Sequence, residues 1–218
     1  MASSYDLQEQ EQMAQIKHFW ARYGHWITWL LIAVLAAYAG WSGWKFWERR
    51  GAVEAAMLLD ELDRAASAND LDRVQRVWAD MQSKVGNSMQ AQHAALLTAR
   101  VLHRAGESEQ AKQALQGVVD RSGDPGLVAV ARLRLSALAL EAENPAEALQ
   151  WLSAAVPTEF DGLVADRRGD ILLAQGQHEE ARRAYQTAWE ALSPDLDYRR
   201  MVEAKLNAMG VDPSGVKP

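Results

Sequence analysis

The stretch Gly106-Glu107-Ser108-Glu109-Gln110-Ala111 returns as Glu143-Asn144-Pro145-Ala146-Glu147-Ala148 and again as Gly176-Gln177-His178-Glu179-Glu180-Ala181. A weaker copy, Asn69-Asp70-Leu71-Asp72-Arg73-Val74, lies upstream. The alanine recurs after 37 and then 33 residues, and a large residue follows it four positions on, at Leu115, Leu152 and Tyr185. A period of about 34 residues is that of a helix-turn-helix solenoid of the tetratricopeptide type. The chemistry of each position follows from that geometry. Gly106 and Gly176 end one helix where the backbone needs positive φ, and polar or acidic residues open the next. The small Ala111, Ala148 and Ala181 let paired helices cross closely. Leu115, Leu152 and Tyr185 fill the space between hairpins. Seven residues before each junction stands another small residue, Ala99, Ser136 or Gly169. The consensus tryptophan near the repeat start is missing.

Outward from these junctions, turn signals recur at Ala68-Asn69-Asp70, Val85-Gly86-Asn87, Ser122-Gly123-Asp124-Pro125, Pro157-Thr158 and Ser193-Pro194. They separate segments rich in Ala and Leu, which favour helices over strands. A final helix over Leu196 to Ala208 carries Arg199, Arg200, Glu203 and Lys205, read as the polar outer face of a capping element. Residues 210–218 contain two prolines and two glycines and are expected to form a disordered tail.

Upstream lies Trp26 to Trp47, WITWLLIAVLAAYAGWSGWKFW, with no Asp, Glu, Lys or Arg from Trp26 to Trp44. The 18 residues from Ile27 to Trp44 match what a helix needs to cross a bilayer core. Trp26 and Trp29 at one end, and Trp41, Trp44 and Trp47 at the other, suit the lipid–water boundary. The expected organisation is therefore an amphipathic N-terminal helix over residues 1–24, a transmembrane anchor over 25–50, a solenoid over 51–209 and a tail over 210–218. Met1 to Ser4 are expected to be loose, and Gly24 marks a bend before the anchor. The fold class is all-α: a single N-terminal transmembrane helix followed by a tetratricopeptide-like helical-hairpin solenoid. A buried core helix is the plainer reading of the apolar stretch. A cleaved signal is another, since Ala37-Tyr38-Ala39 has the small-x-small form. The flanking cations number two before the span (Lys17, Arg22) and three after it (Lys45, Arg49, Arg50). That count leans toward placing the C-terminal side inside, although long domains cross largely regardless of charge.

Mean hydropathy is −0.28, that of a chain with one span rather than many. The 218 residues carry a net charge of −6. Residues 51–218 hold 18 of the 23 basic and 25 of the 29 acidic side chains. An acidic domain argues against nucleic acid as its partner. With no cysteine, disulfides, thiolate metal sites and thiol catalysis are excluded. None of His18, His25, His93, His103 and His178 pairs with another at i, i+4, and neither a dinucleotide fingerprint, a P-loop nor a nucleophile elbow occurs. No catalytic residue, metal or cofactor is expected. Asp166 and Asp170 lie one turn apart with Arg167 adjacent, read as a solvated or partner-facing pair.

The concave surface of a solenoid is lined mainly by the first helix of each pair. The repeat register places on it His93, Leu96, Arg100, His103 and Arg104, then Val130, Leu133, Ala137 and Leu140, then Leu163, Asp166, Asp170 and Leu173. Packing between repeats is the competing role for each leucine. The Lys and Asn that clamp a terminal carboxylate in some tetratricopeptide proteins are absent from the matching positions. An apolar middle with charged ends suits an extended or helical peptide.

The lead Glu9-Gln10-Glu11-Gln12-Met13-Ala14-Gln15-Ile16-Lys17-His18-Phe19-Trp20, the span and the repeat domain together resemble one family, the ancillary subunits of the bacterial SecYEG translocon (the YfgM-like proteins). The resemblance covers nearly the whole chain, and the lead carries most of its specificity. It implies a bacterial inner-membrane protein with a cytoplasmic N-terminus and a periplasmic repeat domain. It further implies association with the SecYEG translocon, with a membrane-anchored periplasmic chaperone of the prolyl-isomerase type and with secreted polypeptides. Catalytic residues are not implied. From the residues alone, a membrane-anchored scaffold or regulator of another envelope assembly, facing the cytoplasm, stands beside that reading.

Overall fold

The computed structural model describes residues 3–213, without the side chains of residues 3–12, 14–16, 19 and 48. Among the described residues every regular element is helical: α1 (Ser3–Ser67), α2 (Leu71–Val85), α3 (Met89–Arg104), α4 (Ser108–Arg121), α5 (Pro125–Glu141), α6 (Pro145–Trp151), α7 (Asp161–Ala174), α8 (His178–Ala191) and α9 (Asp197–Ala208). The all-α expectation holds. The tail beyond residue 213, and the expected looseness of Met1 and Ala2, lie outside the described residues. Ser3 and Ser4 already belong to α1.

The chain divides at Val53/Glu54 into two units. The first consists of α1 up to Val53. Gly24 does not interrupt the helix: Thr28 donates its hydroxyl to the Gly24 carbonyl at 2.8 Å. Among the described residues α1 alone is long and apolar enough to cross a membrane, and its apolar window is unburied. A helix can enter lipid because its backbone groups bond within the segment. The indoles of Trp26, Trp29, Trp41, Trp44 and Trp47 are 58–82% exposed. The Lys45 ammonium sits 4.4 Å from the Trp41 ring centroid and the Arg50 guanidinium 5.3 Å from Phe46, contacts in which a cation meets the face of an aromatic ring.

In the second unit the end of α1 pairs with α2, α3 with α4, α5 with α6 and α7 with α8, and α9 follows. Four turns join the partners, at Asn69, Gly106, Glu143 and Gly176, all with positive φ (53°, 85°, 58° and 74°). Each is closed by the same two backbone bonds. At the second turn, Gly106 N–H donates to His103 and Glu107 N–H to Leu102; at the third, Glu143 donates to Leu140 and Asn144 to Ala139. This is the Schellman arrangement, which satisfies the last carbonyls of a helix. The junctions are thus one backbone device built on two glycines, an asparagine and a glutamate. Asp70 and Asn144 then cap the following helices by accepting from the N–H of Arg73 and Glu147, and Asp124 caps α5 ahead of Pro125 at its first position.

Apolar side chains collect as successive clusters along the stack. Leu62, Val74, Met81 and Ala94 form the first. Leu96, Ala99, Leu102, Leu115, Val118 and Leu135 form the second. Ala139, Ala148, Leu152 and Ile171 make the third, and Tyr185, Ala188, Leu192, Val202 and Leu206 the fourth. Ala111 and Ala181 are fully buried at their crossings. A Cβ added to Gly169 would stand 2.5 Å from Tyr185 Cε1, so only hydrogen leaves room for that ring. Helix α6 is half the length of α4. It tightens at Leu152 and Ser153, whose N–H groups bond three residues back to Leu149 and Gln150, and the chain then crosses through Pro157 to a short 3-10 turn, Thr158–Phe160.

Candidate functional site

Helices α3 and α5, the first helices of consecutive hairpins, lie side by side on one face of the stack. Between them is a pocket of about 220 Å³. Its floor is Ala99, Leu115, Ala137 and Leu138; its rim is Arg100, His103, Arg134 and Glu141. Ala99 and Ala137 leave the volume because their side chains stop at Cβ. Arg134 reaches across to donate from Nη1 to the Leu96 carbonyl at 2.6 Å. Burial, and then the nearby Arg100 charge, hold the Arg134 guanidinium below its usual pKa. His103 Nε2 lies 3.3 Å from Glu141 Oε2, and His103 Nδ1 has no hydrogen-bond partner among the described residues. Apart from Glu141 no carboxylate borders this pocket.

Other groove residues fall elsewhere. Leu96 is 8% exposed and packs in the second cluster, so its side chain belongs to the core rather than the groove. Leu133 and Leu140 are half-buried against the third cluster. They face the next hairpin, and neither lines the pocket. Arg104 is exposed beside it. Leu173, 38% exposed, borders a separate cavity with His178, Arg182, Tyr185, Lys205 and Met209.

Asp166 and Asp170 are the largest departure. Asp166 is 1% exposed and its carboxylate accepts from Lys205 Nζ at 2.8 and 2.9 Å and from the Tyr198 hydroxyl at 2.5 Å. Asp170 accepts from Lys205 Nζ at 2.6 Å and from the Tyr185 hydroxyl at 2.8 Å. Arg167 Nη1 stands 3.5 Å from Asp170. The pair is therefore engaged within the fold, Asp166 buried and Asp170 partly exposed, and it binds α7 to α8 and α9. Lys205, expected on the polar outside of the cap, points inward for the same reason. Burial, and then the bonds to the aspartates, push both phenols above their usual pKa, so both remain protonated donors at neutral pH.

Arg134, Leu138, Glu141 and Tyr198 are the residues that sequence reasoning missed. Arg134 stands 37 positions after Leu97 in the repeat register, so the earlier copy signals packing there rather than a pocket. Tyr198 meets Asp166 from 32 residues away, a distance no local pattern encodes.

Stacked helix pairs closed by an extra helix, with a pocket between neighbouring first helices, define a helical-repeat solenoid. Residues 17–211 match the model of the tetratricopeptide repeat-like domain, and the chain belongs to that family. It is also similar to two proteins named "Ancillary SecYEG translocon subunit". One is from Neisseria gonorrhoeae (strain ATCC 700825 / FA 1090), 28% identical over 93% of this chain and 98% of the relative. The other is from Escherichia coli (strain K12), 33% identical over 46% of this chain and 48% of the relative. The resemblance carried by the lead, the span and the repeats is borne out by these relatives. Among the described residues no group of three or more His, Asp or Glu side chains is placed to hold a metal.

Proposed function

We propose that this chain is a non-enzymatic, single-pass adaptor of the bacterial inner membrane, associated with the SecYEG translocon, which passes secreted polypeptides to periplasmic chaperones. Helix α1 anchors it through residues 25–50, with Trp26, Trp29, Trp41, Trp44 and Trp47 at the two headgroup layers. The amphipathic lead is cytoplasmic and the solenoid periplasmic. The concave pocket between α3 and α5 receives polypeptide, and a membrane-anchored chaperone of the prolyl-isomerase type is the partner on the far side. End-to-end similarity to a named translocon subunit carries this reading, since 93% of the chain aligns with 98% of that relative.

The test has two parts. A reporter fused after Pro218 should be active only outside the cytoplasm; activity only inside overturns the orientation and favours a cytoplasm-facing scaffold. A photo-crosslinker at Ala137 or Leu138, on the pocket floor, should capture translocon subunits, a chaperone or secreted chains in intact cells. Capture of cytoplasmic proteins alone overturns the adaptor role.

A further inference from the structure

The charges around the pocket say what kind of segment enters it. Helix α3 has no acidic residue and carries His93, Arg100, His103 and Arg104; α5 carries Arg132 and Arg134 against a single acid, Glu141. This concentration stands out in a domain that is acidic over residues 51–218. Among the described residues Arg100, Arg104 and Arg134 form no ion pair, and the one rim carboxylate, Glu141, is engaged by His103 at 3.3 Å. Arg100 and Arg134 flank an apolar floor. Its volume of about 220 Å³ exceeds the ~150 Å³ that suffices for a benzene ring, so one leucine- or phenylalanine-sized side chain fits.

We infer that the α3–α5 pocket recognises an internal segment of a partner polypeptide in which one large apolar side chain is flanked by Asp or Glu. The apolar side chain fills the floor over Ala99, Ala137 and Leu138. The flanking carboxylate is held between the Arg100 fork, which matches a planar acid, and the Arg134 guanidinium, whose Nη1 is bonded to the Leu96 carbonyl. A side-chain carboxylate is the occupant rather than a chain end. Chain-end capture uses nests of backbone N–H groups or, in some tetratricopeptide proteins, a Lys and Asn clamp. The walls of this pocket are the flanks of two helices, whose N–H groups are already bonded, and the clamp residues are absent. This assignment rests on reading the pocket as a polypeptide site; it does not depend on the translocon as the source of the polypeptide.

Binding of fluorescent nine-residue peptides to the full chain in detergent micelles tests it. A blocked peptide with central Glu-Leu-Glu should bind, and more weakly at higher salt. Replacing Glu by Gln, or Leu by Ser, should each weaken it by about tenfold. Arg100→Glu, at an exposed position, should weaken the Glu peptide by about tenfold and favour a Lys-Leu-Lys peptide instead. Ala137→Trp, which fills the floor, should abolish both, with helical content by circular dichroism confirming that each variant is folded. Equal binding of Glu, Gln and Lys peptides overturns the inference, as does insensitivity to Ala137→Trp. Tighter binding of a neutral peptide with a free terminal carboxylate overturns the choice of a side-chain acid. Failure of every peptide, with crosslinks to translocon subunits still formed in cells, removes this inference and leaves the adaptor function standing.

Discussion

The second and last hairpins have the same turn and nearly the same helix lengths, yet they are held by different chemistry. Between α3, α4 and α5 the centre of the contact is apolar, with Leu102, Leu115, Val118 and Leu135 interlocked, and the polar contacts of Arg134 with the Leu96 carbonyl and of His103 with Glu141 lie at the pocket rim. Between α7, α8 and α9 a carboxylate pair, an ammonium and two phenols occupy the centre. The hydrophobic contact is non-directional and can accept the next hairpin at a range of small rotations. The polar one demands fixed angles, and each buried member must be satisfied. The repeat thus continues through its middle by packing and stops at its end by specific bonds. The middle is free to keep an open pocket, whereas the end closes the same face with α9.

Removing one member of each contact separates the two hairpins most sharply. Asp166→Ala leaves Tyr198 without its acceptor and Lys205 with Asp170 alone, and should destabilise the domain by about 3 kcal/mol. Urea unfolding of the full chain in micelles measures the loss, and hydrogen exchange should rise first in α9. Adding Lys205→Met should recover part of it, because apolar replacement of a buried ion pair can be nearly neutral and Asp170, which also loses Lys205, keeps the Tyr185 hydroxyl and Arg167. Leu115→Ala should cost a similar amount, about 3 kcal/mol, with no partner substitution that restores it. If Lys205→Met fails to rescue Asp166→Ala, the polar contact is no separate unit.

A second contrast lies at one repeat position. Gly169→Ala forces a Cβ to within 2.5 Å of the buried Tyr185 ring, and that ring is tied to Asp170. The expected loss is about 2 kcal/mol. The equivalent Ser136→Ala should instead stabilise by about 1 kcal/mol, because the buried Ser136 hydroxyl has no partner among the described residues. Thermal unfolding of the two variants should move in opposite directions.

The turns give a smaller effect. Glu143 holds φ 58°, a conformation that costs a side chain about 1 kcal/mol and glycine little. Glu143→Gly should raise stability by about that amount, and Gly106→Ala should lower it similarly.

The pH dependence separates the regions further. The Tyr185 and Tyr198 phenols are raised in the folded protein. Their contribution is therefore complete below the ordinary phenol value of about 10 and is lost above it, where the unfolded chain ionises first. Alkaline unfolding should start at α8 and α9, and Tyr198→Phe should reduce its steepness. In the middle, Lys112 Nζ lies 2.6 Å from Glu147 Oε1. The Lys112 bond holds the Glu147 carboxyl down, and the same bond raises the Lys112 ammonium. Glu147 contributes above the unfolded carboxyl value and loses its effect as pH falls through the lower folded one. Lys112 contributes below its unfolded value and loses its effect as pH rises through the higher folded one. Glu147→Gln should cost only about 0.5 kcal/mol at neutral pH, since the pair is partly solvated.

The fold was legible because its turns are local. A residue able to take positive φ, followed by a polar helix start and a small residue five positions on, is a complete instruction, readable even where Glu143 stands for glycine. The site was legible only in part. Arg100, His103 and Ala137 were placed on the pocket side because they follow the register of the first helices. Leu96 was misplaced because a helix face toward solvent and a face toward the next hairpin differ by one residue. Asp166 was misread because a charged side chain signals water unless its partners are known, and Tyr198 and Lys205 come 32 and 39 residues later. The short α6 was hidden as well: its end is set by bonds at Leu152 and Ser153 rather than by a strong breaker.

The distribution of indoles has an optical consequence. Of nine tryptophans, six precede residue 54, and all six are more than half exposed. Intrinsic fluorescence of the whole chain is thus dominated by rings that sense detergent, lipid or water. Only Trp78, Trp151 and Trp189 belong to the second unit. Each reports a different part of it: Trp78 the contact between the first two apolar clusters, Trp151 the end of α6, and Trp189 the approach of α9, whose Arg199 guanidinium lies 3.9 Å from its ring centroid. Replacing the six membrane-side indoles by phenylalanine would leave three spectroscopic windows, one for each region of the solenoid.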